Sequence, residues 1–488
     1  MRKYQLLTAL ALAVSFGAVA PVATSATAGD TEAASSVVAQ TEATHVQNGA
    51  EFTKAIKNPD VTHIILDQNI SSFFGANNIG WTIDIKDREL TIDLNGYNIT
   101  SPANAIDAAI AIKSGTVTFT GTGHIISQAT RGVPAILTVY GSDDPAAENY
   151  TVVNIGPDVV LTQKDASEDS TIQNYAIAIM KNNQNHAYGV VINYAGQISN
   201  TMSGIYVHGT IKDLTGNFPV ININDNAVID TRVTGLYAAG YAKWNLGAAN
   251  LNSGTGLSIK SGDFILTNTS VTADGEDANP KPEGSGIYAI GAAIQIEQNK
   301  GYAGNINLTI NSGNYSSLNS STLLVYTDGT VDSLSKLQAV AINGGSFAAQ
   351  TDQPVIQVYQ PEDPTVGTVP DQDIITITDG QFTSKVAAYV VDGKALVAGT
   401  DNAGNSIWYV ANGVFDPGID APANPDEGAA SGEEAGNEGV DVVAPDSGAI
   451  SAAQHTYFTN ASALWAGVAA LTVAGAIIVT CRRADKRA

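Results

Sequence analysis

Short runs of alternating apolar and polar residues, each closed by a glycine and an aromatic, recur along this chain: "LSIKSGDF" from Leu257, "LTINSGNY" from Leu308, "VAINGGSF" from Val340 and "ITITDGQF" from Ile375. In the first, Leu257 and Ile259 share one face at a period of two, which predicts a strand with one buried and one wet side. The glycine permits positive φ and close approach of a neighbouring backbone, and the aromatic then returns to the core. A second set of short strands alternates with these: "SGIYVHG" at Ser203, "TGLYAAG" at Thr234 and "SGIYAIG" at Ser285, with looser copies in "TLLVYTDG", "PVIQVYQ" and "AAYVVDG". With Gly262, Gly313, Gly345 and Gly380 as markers, the unit recurs about every 30 to 50 residues, the period range of solenoids and propellers.

A unit this small cannot hide its apolar face alone. Stacked turns do so by pairing like strands one rung apart, which predicts an all-β, right-handed parallel β-helix over residues 49–415. A string of β-sandwiches would need antiparallel hairpins with two-residue turns, whereas the connections here vary widely in length. At the start of the solenoid, "NGAEFTKAIKNPD" places Phe52, Ala55 and Ile56 on one helical face, and Pro59 stops the helix. Such a helix closes the open end of the core.

The ends of the chain change the picture from a plain solenoid to a surface protein. Arg2 and Lys3 precede an apolar run, and Ala26 and Ala28 frame an A-x-A site, so residues 1–28 read as a secretory signal and 29–48 as a linker. Residues 416–460 carry Pro, Gly, Ala and acids, the composition of an extended, self-repelling, disordered stalk. Residues 461–481 hold an uncharged apolar run of membrane-spanning length, and 482–488 form a basic tail that stays on the cytoplasmic side. The exported region contains no cysteine, because the single Cys481 follows the membrane run. Its stability must therefore come from packing and hydrogen bonds. The net charge of −24 argues against a nucleic-acid partner.

Two resemblances follow from these residues. The order of Ala444, Pro445, Asp446, Ser447 and Gly448, a short spacer, the apolar run and the basic tail resembles the cell-wall sorting signal of Gram-positive-type bacteria. That resemblance implies a sortase cut after Ser447 and linkage to the cell wall. The pentapeptide departs from the family's Leu-Pro-x-Thr-Gly at Ala444 and Ser447, which leaves retention by the membrane helix as the alternative. The region 49–415, through "HIILDQNI" and "LTIDLNGYNIT", resembles the pectin-lyase-like β-helices of bacterial surface proteins. Active members of that superfamily often work on polysaccharides, but fold alone does not carry activity.

Chemistry must then be sought in the residues. Hydrolysis on this fold needs two or three carboxylates converging from adjacent rungs, and a Ca²⁺-dependent lyase needs an acidic cluster beside an arginine. The best such constellation is Asp225, Asp230 and Arg232 in "INDNAVIDTRVTG", against the plainer reading that the acids serve turns and the arginine pairs locally. No histidine or cysteine spacing of a metal site is present, and the acidic stretches "KDASEDS" and "DGEDANP" lack the pattern of a Ca²⁺ loop. No cofactor is implied, and Ca²⁺ has no motif behind it. Binding is better supported. Tyr206, Tyr237 and Tyr288 recur at one rung position and should stack outward if Ile205, Leu236 and Ile287 face in. Tyr241 and Trp244 lie in a connection read as a projecting loop, and long connections of that kind gather on one edge. The sequence thus favours a surface-tethered adhesin that meets an extracellular glycan or a neighbouring cell surface. A diverged polysaccharide lyase or glycoside hydrolase is the second reading, and a structural coat protein the third.

Overall fold

The computed structural model describes residues 42–71, 79–101, 108–128, 135–164, 174–182, 184–211, 216–254, 256–274, 291–298, 305–327, 337–350, 352–359 and 374–412. The leader, the stalk, the APDSG pentapeptide, the apolar run, the basic tail and Tyr288 lie outside them. Among the described residues no helix is long and apolar enough to cross a membrane.

The chain winds as a parallel β-helix whose strands fall into three stacked sheets, here A, B and C, visited in the order C, A, B along each turn. Alternation places every second residue of most strands inward, and parallel register stacks these inward residues into ladders. On sheet C the consecutive Ile136 and Leu137, and Ala176 and Ile177, both enter the core, which leaves Ala135 and Tyr175 outside. In sheet A one ladder runs Ile64, Ile92, Phe119, Ile155, Tyr194, Ile223, Leu246 and Leu266. In sheet B the ladder runs Ile125, Leu161, Ile198, Ile229, Leu251, Val271, Tyr315, Phe347 and Phe382. Sheet C contributes Leu137, Ile177, Ile205, Leu236, Leu257, Ile294 and Leu323. These side chains are almost completely withdrawn from water and form one continuous core. Near the far end Tyr315, Phe347 and Phe382 stack ring on ring at 5.0 and 5.2 Å, each contact contributing about 0.5–1.5 kcal/mol beyond its buried area.

The outside of sheet A is ordered as strictly as the inside. Asn154, Asn193, Asn222 and Asn245 occupy one register position. Each side-chain amide donates to the oxygen one rung back, at 2.8 Å throughout, and Asn154 donates to Thr118 Oγ1 at 2.9 Å. This ladder satisfies polar side chains that would otherwise compete for backbone groups.

Both ends are closed. The helix Gly49–Lys57 is capped by Asn48, whose side chain accepts from the Ala50 and Glu51 N–H groups, while Glu51 reaches back to the Gln47 N–H. Its Phe52, Ala55 and Ile56 are buried as the spacing predicts, and Phe52 meets Trp81 edge-on at 5.3 Å. The solenoid begins before this helix, however, with the strand Thr44–Val46 paired parallel to Ile64–Leu66. That strand is too short for its alternation to be read from sequence, which is why the solenoid reading starts at Gly49. At the other end "AAYVVDG" forms a 3₁₀ turn, Ala387–Tyr389, instead of a rung strand. The antiparallel pair Lys394–Thr400 and Ser406–Asn412 then lies against the last sheet B strand, with Trp408 opposite Phe382.

Candidate functional site

The strands Gln197–Val207 and Val228–Ala238 run from sheet B into sheet C, and in their sheet C portions Ile205 and Leu236 face the core while the tyrosines between inward residues face out. Register sets Tyr206 against Tyr237, with ring centroids 5.2 Å apart, and Tyr175 stacks on the other side of Tyr206 at 4.5 Å. With Ala135, Ala178, Ala239 and Met180 these rings form an apolar cluster separate from the core. The outward stack of Tyr206 and Tyr237 therefore exists. Its continuation differs from the sequence reading. The positions after Tyr237 are taken by Ser258 and then Gln295, and Tyr288 lies outside the described residues. The stack is also more closed than expected, since Tyr237 is 1% exposed and only Tyr206 remains half-buried. Burial pushes the phenol of Tyr206 above its usual range, against a hydrogen bond from the Gly209 backbone. Burial and then the neighbouring Tyr206 do the same to Tyr175.

Polar groups surround the rings. Ser203 and Thr234 continue the row of Ala135 and Tyr175 by register. Ser203 Oγ, Thr234 Oγ1, Ser258 Oγ and Gln295 Oε1 are all buried, and none has a hydrogen-bond partner among the described residues. An unmade bond of this kind costs about 1–3 kcal/mol, so four on one face make a costly arrangement if it serves packing alone. Two residues beyond Ser258 and Gln295, Lys260 Nζ and Glu297 Oε2 form an ion pair at 2.9 Å, with side chains 0% and 1% exposed. Lys260 also lies 5.7 Å from the centre of the Tyr237 ring. Burial pulls its ammonium below the usual lysine range, and the adjacent Glu297 restores only part of that shift. His208 stands at the margin, 6.1 Å from Tyr206 and bonded through Nδ1 to Thr210. Burial, then Lys181, lowers its pKa. The sequence reading missed Tyr175, Ser203, Thr234, Ser258, Gln295, Lys260 and Glu297. The available signal was the pair "SIKS" and "IQIEQ", where a charge occupies the outward position of an otherwise uncharged strand.

The other candidates are scattered. Trp244 does not stand in a loop: it is the inward residue of the sheet A strand Lys243–Leu246, fully buried between Ile221 and Phe264. The supposed projecting loop around it holds two strands, Lys243–Leu246 and Asn250–Ser253, of one compact turn. Tyr241 precedes them, 7% exposed, packed edge-on against Phe218 and donating its hydroxyl to Asp263 Oδ2 at 2.7 Å. Asp225 accepts from the Ala248 N–H at 2.8 Å, a turn role. Asp230 and Arg232 follow on the exposed side of the next strand. The Asp230 carboxyl is raised by burial and then by Asp274, with no contribution from Arg232 among the causes. Asp225 is thus at a turn, away from the strand that carries the other two. Among the described residues no group of three or more His, Cys, Asp or Glu is disposed to hold a metal ion.

Residues 43–207 of the 488 match a family model described as a pectate lyase-like adhesive domain. The match ends at Val207 and so takes in Tyr175 and Tyr206 of the ring stack. No curated protein and no solved structure matches the chain.

Proposed function

We propose that this chain is a surface adhesin whose β-helix uses the outer face of sheet C to bind an extracellular glycan. The observation that carries the reading is the combination on that face of a three-ring tyrosine stack with four buried polar atoms that lack partners among the described residues. Ring faces accept the apolar side of a sugar, and unpaired hydroxyl and amide oxygens match its hydroxyl groups. Tyr206, the least buried of the rings, is the residue such a ligand meets first. The similarity of residues 43–207 to an adhesive domain supports adhesion as the role. In the same reading the run 461–481 holds the protein at the cell surface, and APDSG offers a site to a sortase for transfer to the wall.

The full chain is incubated with plant, host and bacterial polysaccharides, and retained binding is measured together with newly formed reducing ends. Binding without cleavage, weakened in Tyr206→Ala, is expected. New reducing ends, or no binding to any polymer, would overturn the proposal.

A further inference from the structure

Beyond the contact of Lys260 with the Tyr237 ring, the Lys260 and Glu297 pair is the most deeply buried charge pair on the described surface of sheet C. The two side chains are 0% and 1% exposed, and the nitrogen and oxygen are 2.9 Å apart. They stand one residue past Ile259 and Ile296, which are register partners on adjacent rungs, so both project from the same face at the same height. Holding both charges there is expensive, because each ion gives up its hydration and the desolvation penalty is several kcal/mol per ion.

We propose that Lys260 and Glu297 are joined by an amide bond between Lys260 Nζ and Glu297 Cδ, a covalent cross-link between neighbouring rungs. The dry surroundings favour the neutral form of the pair, in which one proton passes from the ammonium to the carboxylate. The free amine is then a nucleophile in contact with a protonated carboxyl group. Attack of Nζ on Cδ forms the C–N bond. The C–O bond of the acid breaks, and its hydroxyl leaves with one proton from nitrogen as a single water. No oxidant, reductant or further reactant enters the balance. The product replaces two buried charges by a neutral amide, whose N–H and C=O need partners of their own. Ser258 and Gln295 lie two residues before the joined pair on the same face, and Ser258 Oγ and Gln295 Oε1 are unpartnered among the described residues. The lowered affinity of Lys260 for its proton agrees with this route without being its basis. If Ser258 and Gln295 serve the amide, the glycan reading keeps the tyrosine rings, Ser203 and Thr234 on the same face.

The test is a tryptic digest of the fully denatured full chain, so it does not depend on how a variant folds. An amide at Lys260 blocks cleavage there. The expected product is one peptide covering residues 244–300, lighter than its sequence by the mass of one water. Further cleavage before Asp263 should leave two segments still joined. In Lys260→Arg the same treatment should give separate linear peptides 244–260 and 261–300. Cleavage after Lys260 in the unmodified sequence, with Glu297 at its full mass, would overturn the proposal.

Discussion

The Trp244 indole lies flat on the Phe264 ring one rung away, with centroids 5.4 Å apart and planes 9° from parallel, and both side chains are closed to water. This stack sits in the same core position that Ile221 and Leu308 fill on the rungs to either side. Removing the indole opens a large cavity between rungs that register pins in place. Trp244→Ala should therefore cost about 3–5 kcal/mol in chemical denaturation. Trp244→Phe should cost much less, because it keeps the stack and removes an indole N–H that has no partner among the described residues. Equal losses in the two variants would contradict the placement of Trp244 in the core.

The asparagine ladder on the outside of sheet A makes a graded prediction. Asn193 both donates to Asn154 and accepts from Asn222, whereas Asn245, at the end of the file, makes only the donating bond of the ladder. A side-chain hydrogen bond contributes about 0.5–1.5 kcal/mol net. Asn193→Ala should thus lower stability about twice as much as Asn245→Ala. Asn193→Asp should do at least as much harm as Asn193→Ala, since a carboxylate cannot donate to Asn154. Thermal unfolding of the three variants side by side checks the order.

Much of this architecture was legible in the sequence because period-two alternation and a solenoid impose the same burial pattern. The inward faces of "LTINSGNY", "VAINGGSF" and "ITITDGQF" were read correctly, down to the aromatic that follows each glycine. Gly313 shows why that glycine is required: its φ is +132°, and a Cβ there would lie 2.1 Å from the Thr269 carbonyl oxygen. What could not be read was which corner a motif occupies. "LSIKSGDF" looks like the other three, yet Leu257–Ile259 is a sheet C strand and Phe264 enters sheet A, while Tyr315, Phe347 and Phe382 enter sheet B. Local sequence specifies strand, turn and aromatic, and only the length of the preceding turns sets the corner. The same ambiguity turned Trp244 into a loop residue. The partners of Lys260 and Ser203 depend on that register, so the polar part of the candidate site was beyond alternation alone.

Asp230 supplies a pH-dependent test. Its carboxyl is raised above the usual range by burial and then by the nearby Asp274. The folded state consequently holds this proton more tightly than the unfolded chain. The carboxylate therefore destabilises the fold as pH rises through and beyond the ordinary carboxylate range, and has little effect where both states are protonated. Asp230→Asn should raise the melting temperature at neutral pH, and the gain should shrink as the solution is made acidic. A gain that is the same at every pH would mean that the carboxyl's ionisation is not its source.

The tyrosine stack separates binding from stability within one face. Tyr237 is closed in between Tyr206 and the Lys260 side chain, so its ring works mainly as packing. Tyr206 is half-buried with a ring on either side, and its loss should be tolerated better. Tyr237→Ala should lower the melting temperature more than Tyr206→Ala. For the glycan identified by the binding panel, Tyr206→Ala should weaken affinity at least about tenfold, equivalent to roughly 1.4 kcal/mol. Tyr206→Phe keeps both stacking contacts and loses only the hydroxyl bonded by Gly209, so it should retain the stability and part of the affinity. Calorimetric titration of the folded variants decides the matter. Unchanged affinity in Tyr206→Ala would move the binding site off this face while leaving the stacking argument for Tyr237 intact.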